Sequence, residues 1–205
     1  MNIEILISFV VTSIILAFSP GPDNIFVLTQ SIVNGKKYGL ATVFGLATGC
    51  LVHTTLVAFG VSAIIKENEN LFFAIKVFGS LYLLYLAYKV FKSDASIILS
   101  EEKVDKKSTV KLFKQGFIMN VLNPKVSIFF LAFFPAFLFS KTMSTVTQFY
   151  ILGLLFILVT IIAFGLIAVL AGSISEKIKT NKNIGVYLKW TQIIVFIAIA
   201  VFILI

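Results

Sequence analysis

The sequence Phe18-Ser19-Pro20-Gly21-Pro22-Asp23-Asn24 interrupts an apolar segment that otherwise extends from residue 5 to residue 33. Two prolines and a glycine disfavour a continuous helix, because proline lacks a backbone donor and glycine has low helix propensity. An unbroken helix over this segment would be roughly 43 Å long, whereas the hydrocarbon core of a bilayer is about 30 Å thick. Irregular backbone at membrane depth is tolerated only where it is buried in protein or lines a cavity. The stretch therefore predicts a broken membrane helix and favours a transporter.

The composition of the chain indicates an integral membrane protein. Of the 205 residues, 59% are hydrophobic, and the mean hydropathy is +1.05. This apolar share is far above that of ordinary soluble domains. The net charge of +8 comes from lysines between apolar runs, which argues against a nucleic-acid-binding domain. The length allows about six spans of roughly 20 residues and no added soluble domain.

The apolar runs predict six membrane-spanning segments, with polar interruptions in the first and the fourth. A stretch that mixes lysines and carboxylates, 92–114, is predicted to be a solvated cytoplasmic connector, and 173–183 a basic loop. The predicted spans are residues 5–33, 39–65, 71–91, 116–139, 149–171 and 187–205.

The lysines are distributed unequally between the two sides of these spans. Most lie in or beside the first, third and fifth loops, whereas Lys66 and Lys141 lie in loops on the opposite side. Because cytoplasmic loops carry an excess of positive charge, this asymmetry places both termini on the non-cytoplasmic side. The N-terminal segment has no basic region and no cleavage site, so we interpret it as a retained span.

Short residue strings of the first half of the chain recur in the second half, at nearly the same separation along the sequence. Asn24-Ile25-Phe26-Val27-Leu28 resembles Ser127-Ile128-Phe129-Phe130-Leu131, and Ala58-Phe59-Gly60 recurs as Ala163-Phe164-Gly165. With three spans in each half, the second half would enter the membrane from the other side. We therefore predict one translocator domain built from an inverted repeat, a design that many secondary transporters use for alternating access. Its parts would be residues 1–91, the connector 92–114 and residues 115–205.

The repeat puts the second interruption, Asn123-Pro124-Lys125, in the position equivalent to Pro20-Gly21-Pro22-Asp23-Asn24. Asn123 is predicted to cap a helix that has Pro124 at its first position, and Ser19, Pro20 or Asp23 would serve similarly in the first break. Two half-helices would then direct free N–H groups and positive dipole ends at a shared centre.

Asp23 and Lys125 supply opposite charges to that centre. We predict that Lys125 and the helix starts bind the carboxylate of an amino acid, and that Asp23 binds its ammonium group or carries a coupling proton. Two other interpretations stay open. Asp23 could be a solvated cap in a surface turn, and Lys125 could extend to the interface or neutralise Asp23 in a structural ion pair.

The remaining ionisable groups suggest little catalytic chemistry. His53 is either a hydrogen-bonded interior histidine or a proton relay. Cys50 shares a helix face with His53, but two soft ligands do not make a metal site, so no metal and no cofactor are expected. The chain has no HExxH motif, no paired intramembrane aspartates and no phosphate-binding loop, which argues against an enzyme or an ATP-driven pump.

These motifs resemble those of the LysE/RhtB family of bacterial amino-acid exporters. The resemblance rests on the two broken segments and on Asn34-Gly35-Lys36-Lys37-Tyr38-Gly39, Gly45, Gly49, His53, Asn120 and Phe129-Phe130-Leu131-Ala132-Phe133-Phe134-Pro135. It implies a multi-pass protein of the bacterial inner membrane that exports amino acids or close derivatives in exchange for protons. It also adds Asn120 to the candidate site.

We therefore predict an all-α integral membrane protein with six transmembrane helices, the first and fourth broken, that exports amino acids through a site between the breaks. Its partners would be the lipid bilayer, the substrate, and a proton or other coupling ion, while a homo-oligomer stays open. A channel-like or ion- or metal-handling protein is the alternative from another class, and a scaffold is a third. Saturable flux would separate a carrier from a channel.

Overall fold

The computed structural model describes residues 2–19, 21–94, 108–180 and 183–204, and within these ranges every regular element is a helix. Pro20 and most of the predicted connector, residues 95–107, lie outside the described residues. The α-helices are α1 (Ile3–Phe18), α2 (Pro22–Asn34), α3 (Lys36–Leu56), α4 (Ser62–Glu67), α5 (Glu69–Lys92), α6 (Thr109–Val121), α7 (Pro124–Ile128), α8 (Thr145–Val169), α9 (Ala171–Thr180) and α10 (Ile184–Leu204). Two π-helical segments, Val57–Val61 and Phe129–Phe133, and a 3-10 turn, Phe134–Phe137, complete the set.

Six spans are present if each bent helix pair counts as one. By length and composition, four helical stretches could each cross a membrane: Lys36–Ile65, Glu69–Lys92, Thr145–Val169 and Ile184–Leu204. The pair α1 and α2 bends by 61°, and Thr109–Val121 bends by 49° against Pro124–Phe137. The predicted all-α membrane fold, with breaks in the first and fourth spans, is confirmed.

Several predicted boundaries were wrong because local capping was overlooked. Ser108 accepts a hydrogen bond from the backbone N–H of Lys111, so α6 begins inside the predicted connector. Ser144 likewise accepts from the N–H of Thr147, and the fifth span begins at Thr145. The predicted basic loop 173–183 is mostly helix α9, whose sequence has two isoleucines four residues apart and a lysine on each side of the second.

Glycines allow α3 and α6 to pack with their backbones in contact. A Cβ atom on Gly45 would collide with the carbonyl oxygen of Phe113, and one on Gly116 would collide with the carbonyl oxygen of Thr42. Gly49 leaves room for the side chain of Asn120, which would lie 2.6 Å from an added Cβ. The close packing that small residues permit between membrane helices is therefore observed at Gly45 and Gly49.

The contacts between helices are arranged symmetrically between the two halves of the chain. Helix α3 packs on α6 and α1 packs on α8, while α5 packs on α10 and α3 on α8. An inverted repeat predicts these pairings, because each half must supply the same contacts to the other. The opposite orientation of the halves in a membrane stays a prediction.

An aromatic cluster fills the space between the fourth and fifth spans beyond the second break. Phe130 stacks on Phe134 with a centroid distance of 4.1 Å, and Phe129 stacks on Phe133 at 4.6 Å. Phe156 of α8 contacts this group, with its ring centroid 5.2 Å from that of Phe130. The aromatic cluster comprises Phe9, Phe129, Phe130, Phe133, Phe134, Phe137 and Phe156, all buried. Its position along both helices puts it between the breaks and the loop 138–144.

Candidate functional site

The second break is capped as its sequence predicts. Asn123 is the N-cap of α7, and its side-chain oxygen accepts a hydrogen bond from the backbone N–H of Lys125 at 3.0 Å. Pro124 occupies the first helical position, where a missing N–H costs nothing. This geometry turns the side-chain amide nitrogen of Asn123 toward the first break.

The helix that follows the first break is capped by a different residue from those predicted. The N-cap of α2 is Gly21, which provides no side-chain acceptor, and Pro22 occupies the first helical position. Asp23 is therefore inside the first turn and does not cap it. Asn24 donates a hydrogen bond to the carbonyl oxygen of Ala17 at 2.8 Å, which satisfies an acceptor at the end of α1. The carboxylate of Asp23 is left available for a partner across the break.

The two breaks meet through their polar side chains. The amide nitrogen of Asn123 donates to Oδ2 of Asp23 at 2.8 Å, and the ammonium group of Lys125 donates to the carbonyl oxygen of Ser19 at 3.1 Å. Asp23 is only 8% exposed, so the interpretation of a solvated surface cap is wrong. Lys125 also lies over the ring of Phe196, with Nζ 5.4 Å from the ring centroid.

A direct ion pair between Asp23 and Lys125 is not found among the described residues. The ammonium group of Lys125 uses a backbone carbonyl and an aromatic face instead. The carboxylate of Asp23 uses an amide donor. Both charges therefore lie at the same junction without a direct contact between them.

The junction encloses a cavity of about 40 Å³. Space of this size holds a few water molecules but not a whole amino acid. The polar part of its lining comes from the two breaks and from α6 and α8, and the remainder is apolar. The lining residues are Leu16, Ala17, Gly21, Pro22, Asp23, Asn24, Leu46, Asn120, Asn123, Lys125, Val126, Phe156, Thr160 and Phe164.

Asn120 connects the cavity with the second span. Its backbone carbonyl oxygen lies 3.1 Å from Nε2 of His53, and its side-chain oxygen accepts from the thiol of Cys50 at 3.7 Å. His53 is buried and hydrogen-bonded, as the structural interpretation of this residue predicted. His53 does not line the cavity, and its role as a proton relay stays a prediction. The described residues contain no group of three His, Cys, Asp or Glu side chains placed to hold a metal ion.

Eight of the nine predicted binding residues lie near one another, and the ninth, Pro20, lies outside the described residues. Gly21, Pro22, Asp23, Asn24, Asn120, Asn123 and Lys125 line the cavity, and Pro124 lies between two of them. Phe156, Thr160 and Phe164 of α8 also line the cavity and were not predicted. The one available signal was a threonine within the very apolar run Leu158-Val159-Thr160-Ile161-Ile162.

Comparison with known proteins agrees with this architecture. The family model of the LysE type translocator matches residues 14–205. Two relatives are each 31% identical over 183 residues, which is 89% of this chain and 88% of the relative. They are homoserine/homoserine lactone efflux proteins, one from Salmonella typhimurium and one from Salmonella typhi. No solved structure matches the chain.

The family match begins within α1 and includes both breaks and every later helix of the described fold. Translocators move solutes across membranes and are not enzymes. This multi-pass membrane protein belongs to the LysE type translocator family.

Proposed function

We propose that this protein exports small amino acids or close derivatives from the cytoplasm through the cavity between its two helix breaks. The observation that carries the proposal is one buried carboxylate and one lysine at the same cavity, in a chain of the LysE type translocator family. Its relatives are efflux proteins for homoserine and homoserine lactone, and both compounds carry an α-amino group.

The charges in the cavity match the two ends of an α-amino acid. In this proposal the ammonium group of the substrate binds Asp23, which has a single hydrogen-bond donor, Asn123, among the described residues. The carboxylate binds the ammonium group of Lys125 near the start of the helix after Pro124, where the helix dipole favours negative charge. The backbone N–H groups of Lys125, Val126 and Ser127 are already bonded to Asn123, so they contribute through the dipole and not as free donors. Asp23 is also the candidate carrier of the coupling proton.

Substrate binding requires the cavity to widen, because about 40 Å³ is too small for the whole solute. Two of the lining segments are the helix breaks, and the π-helical segment Phe129–Phe133 follows the second break closely along the chain. In an inverted repeat the two halves would rock against each other and expose the site to each side in turn. We propose the bacterial inner membrane as its location, on the basis of its likeness to bacterial efflux proteins. The lysine distribution supports an orientation with both termini outside the cytoplasm.

The proposal is tested by efflux from bacterial cells preloaded with homoserine and a panel of other amino acids. Cells that contain the protein are expected to release at least one of them several-fold faster than empty cells, with a rate that saturates. An acidic exterior is expected to accelerate efflux, because protons then enter in exchange. Equal release from both strains would reject the exporter, unsaturable release would favour a channel, and indifference to the proton gradient would reject proton antiport alone.

Lys125→Met is expected to separate two chemically related substrates. Homoserine has a free carboxylate, whereas homoserine lactone has the same α-amino group but no carboxylate. Because a hydrogen bond to a charged group contributes about 1.5–3 kcal/mol, homoserine efflux should fall roughly 10- to 100-fold. Efflux of the lactone should change by about twofold or less, since its single charge binds Asp23.

The matched control for this experiment is Lys141→Met, which removes an exposed lysine remote from the cavity. It should leave efflux of both compounds unchanged. Equal losses of homoserine and lactone efflux in Lys125→Met, at equal membrane abundance, would show that Lys125 does not bind the substrate carboxylate.

A further inference from the structure

We propose that Thr160 is a specificity-determining residue whose hydroxyl group binds a hydroxyl on the side chain of the transported amino acid. The inference rests on the proposed function, because it assigns a role within the same cavity. Thr160 is 3% exposed, lines the cavity, and its Oγ1 atom has no hydrogen-bond partner among the described residues.

The hydroxyl of Thr160 differs in its hydrogen bonding from the hydroxyls of other threonines in the spans. Membrane-helix threonines usually satisfy their hydroxyl by donating to the carbonyl oxygen four residues earlier. Five threonines in the described spans do so, at distances of 2.7–3.2 Å: Thr12, Thr42, Thr48, Thr54 and Thr55. Thr160 makes no such bond, although its helix provides the carbonyl oxygen of Phe156 at the same spacing.

The sulfur of Cys50 lies beside the hydroxyl of Thr160 and is a weak acceptor for it, but the two atoms do not satisfy hydrogen-bond geometry. The thiol of Cys50 is itself directed to the carbonyl oxygen of Leu46 at 3.5 Å and to the side-chain oxygen of Asn120 at 3.7 Å. Three other buried hydroxyls have no partner, those of Ser13, Ser19 and Ser62. None of these three residues lines the cavity. Within the described part of the chain, Thr160 is thus the one residue that combines both properties.

The position of Thr160 favours contact with the side chain of the substrate and not with the ammonium and carboxylate groups on its α-carbon. Asp23 and Lys125 lie at the helix breaks, whereas Thr160 lies on α8, which forms another wall. Phe156, Thr160 and Phe164 are four residues apart, so they share one face of α8. A substrate whose charged end binds the breaks would direct its side chain at this face, where the two phenylalanines contact methylene groups and the hydroxyl accepts or donates one hydrogen bond.

The unpaired hydroxyl of Thr160 predicts an effect of its removal on stability as well as on transport. An unpaired buried hydroxyl is costly to the fold, so Thr160→Val should leave the melting temperature of the purified protein unchanged or raise it. A threonine retained for the fold alone would lower the melting temperature when replaced, without altering the choice of substrate.

The experiment compares efflux of homoserine with that of norvaline, in which a methyl group replaces the hydroxyl of homoserine. Wild-type protein is expected to favour homoserine, and Thr160→Val should reduce the ratio of homoserine to norvaline efflux by about tenfold, the effect of one neutral hydrogen bond with an unpaired partner. Thr160→Ser should retain the preference. Thr48→Val, which removes a hydroxyl bonded to its own helix, should not change it.

Failure of this inference is distinguishable from failure of the proposed function. Wild-type protein that exports both amino acids without favouring homoserine, or an unchanged ratio in Thr160→Val, would overturn the role of Thr160 and leave the exporter intact. Equal losses for both substrates in Thr160→Val would also overturn it. Absence of efflux of any amino acid from wild-type cells would overturn the proposed function and this inference with it.

Discussion

Asp23→Asn is expected to reduce amino-acid efflux by about 100-fold or more at equal membrane abundance. The substitution retains the size of the side chain but removes the one carboxylate among the described residues that line the cavity. Lys125 would then leave the cavity with a net positive charge that repels the ammonium group of the substrate. Loss of a desolvated charge partner typically costs 2–5 kcal/mol, and about 3 kcal/mol corresponds to roughly 100-fold.

Asp94→Asn is the matched control, because Asp94 is exposed at the end of the third span. It should export at the wild-type rate. The double variant Asp23→Asn/Lys125→Met distinguishes a binding site from a pair of charges that only stabilise each other. If the charges are structural, the double variant should recover both abundance and efflux. If they bind substrate, it should recover abundance and remain unable to export homoserine.

Gly116→Ala is expected to have the largest effect on folding. The added Cβ would collide with the carbonyl oxygen of Thr42, and backbone cannot rotate away as a side chain can. Overpacking usually costs 1–3 kcal/mol, and contact between two helix backbones puts this substitution at about 3 kcal/mol. We expect a lower melting temperature in detergent and a several-fold lower abundance in the membrane.

Gly165→Ala, in contrast, is expected to leave the stability of the protein unchanged or to raise it. No atom lies within 4 Å of a Cβ added at Gly165, and alanine favours helix by up to about 1 kcal/mol over glycine. The melting temperature should therefore stay the same or rise. Similar destabilisation by both substitutions would show that Gly116 acts through backbone flexibility and not through close packing.

The sequence predicts most clearly those features that short stretches determine. The apolar runs predict the spans, Pro20-Gly21-Pro22 and Asn123-Pro124 predict the breaks, and the capping of α7 by Asn123 needs only adjacent residues. The equivalence of the two breaks followed from internal repetition. Helix α9 was missed because its lysines were interpreted as a loop, although apolar residues at helical spacing accompany them.

Features that depend on packing between distant elements were not predictable. His53 contacts the carbonyl oxygen of Asn120, which is 67 residues away along the chain, and Lys125 contacts the carbonyl oxygen of Ser19, which is 106 residues away. A single sequence does not show that residues so far apart along the chain meet in space. It also does not distinguish Thr160, which forgoes a hydrogen bond to its own helix, from Thr54, which makes one. Only the arrangement of α8 against both breaks makes this difference visible.

The aromatic cluster has a consequence for the electrical insulation of the membrane. Stacked phenylalanine rings offer no donor or acceptor, so they give a file of water molecules no polar support between the cavity and the loop 138–144. An ion that entered this region would lose its hydration without replacement, at a cost far above thermal energy. The rings therefore oppose the passage of protons and metal ions by their low polarity as well as by their bulk.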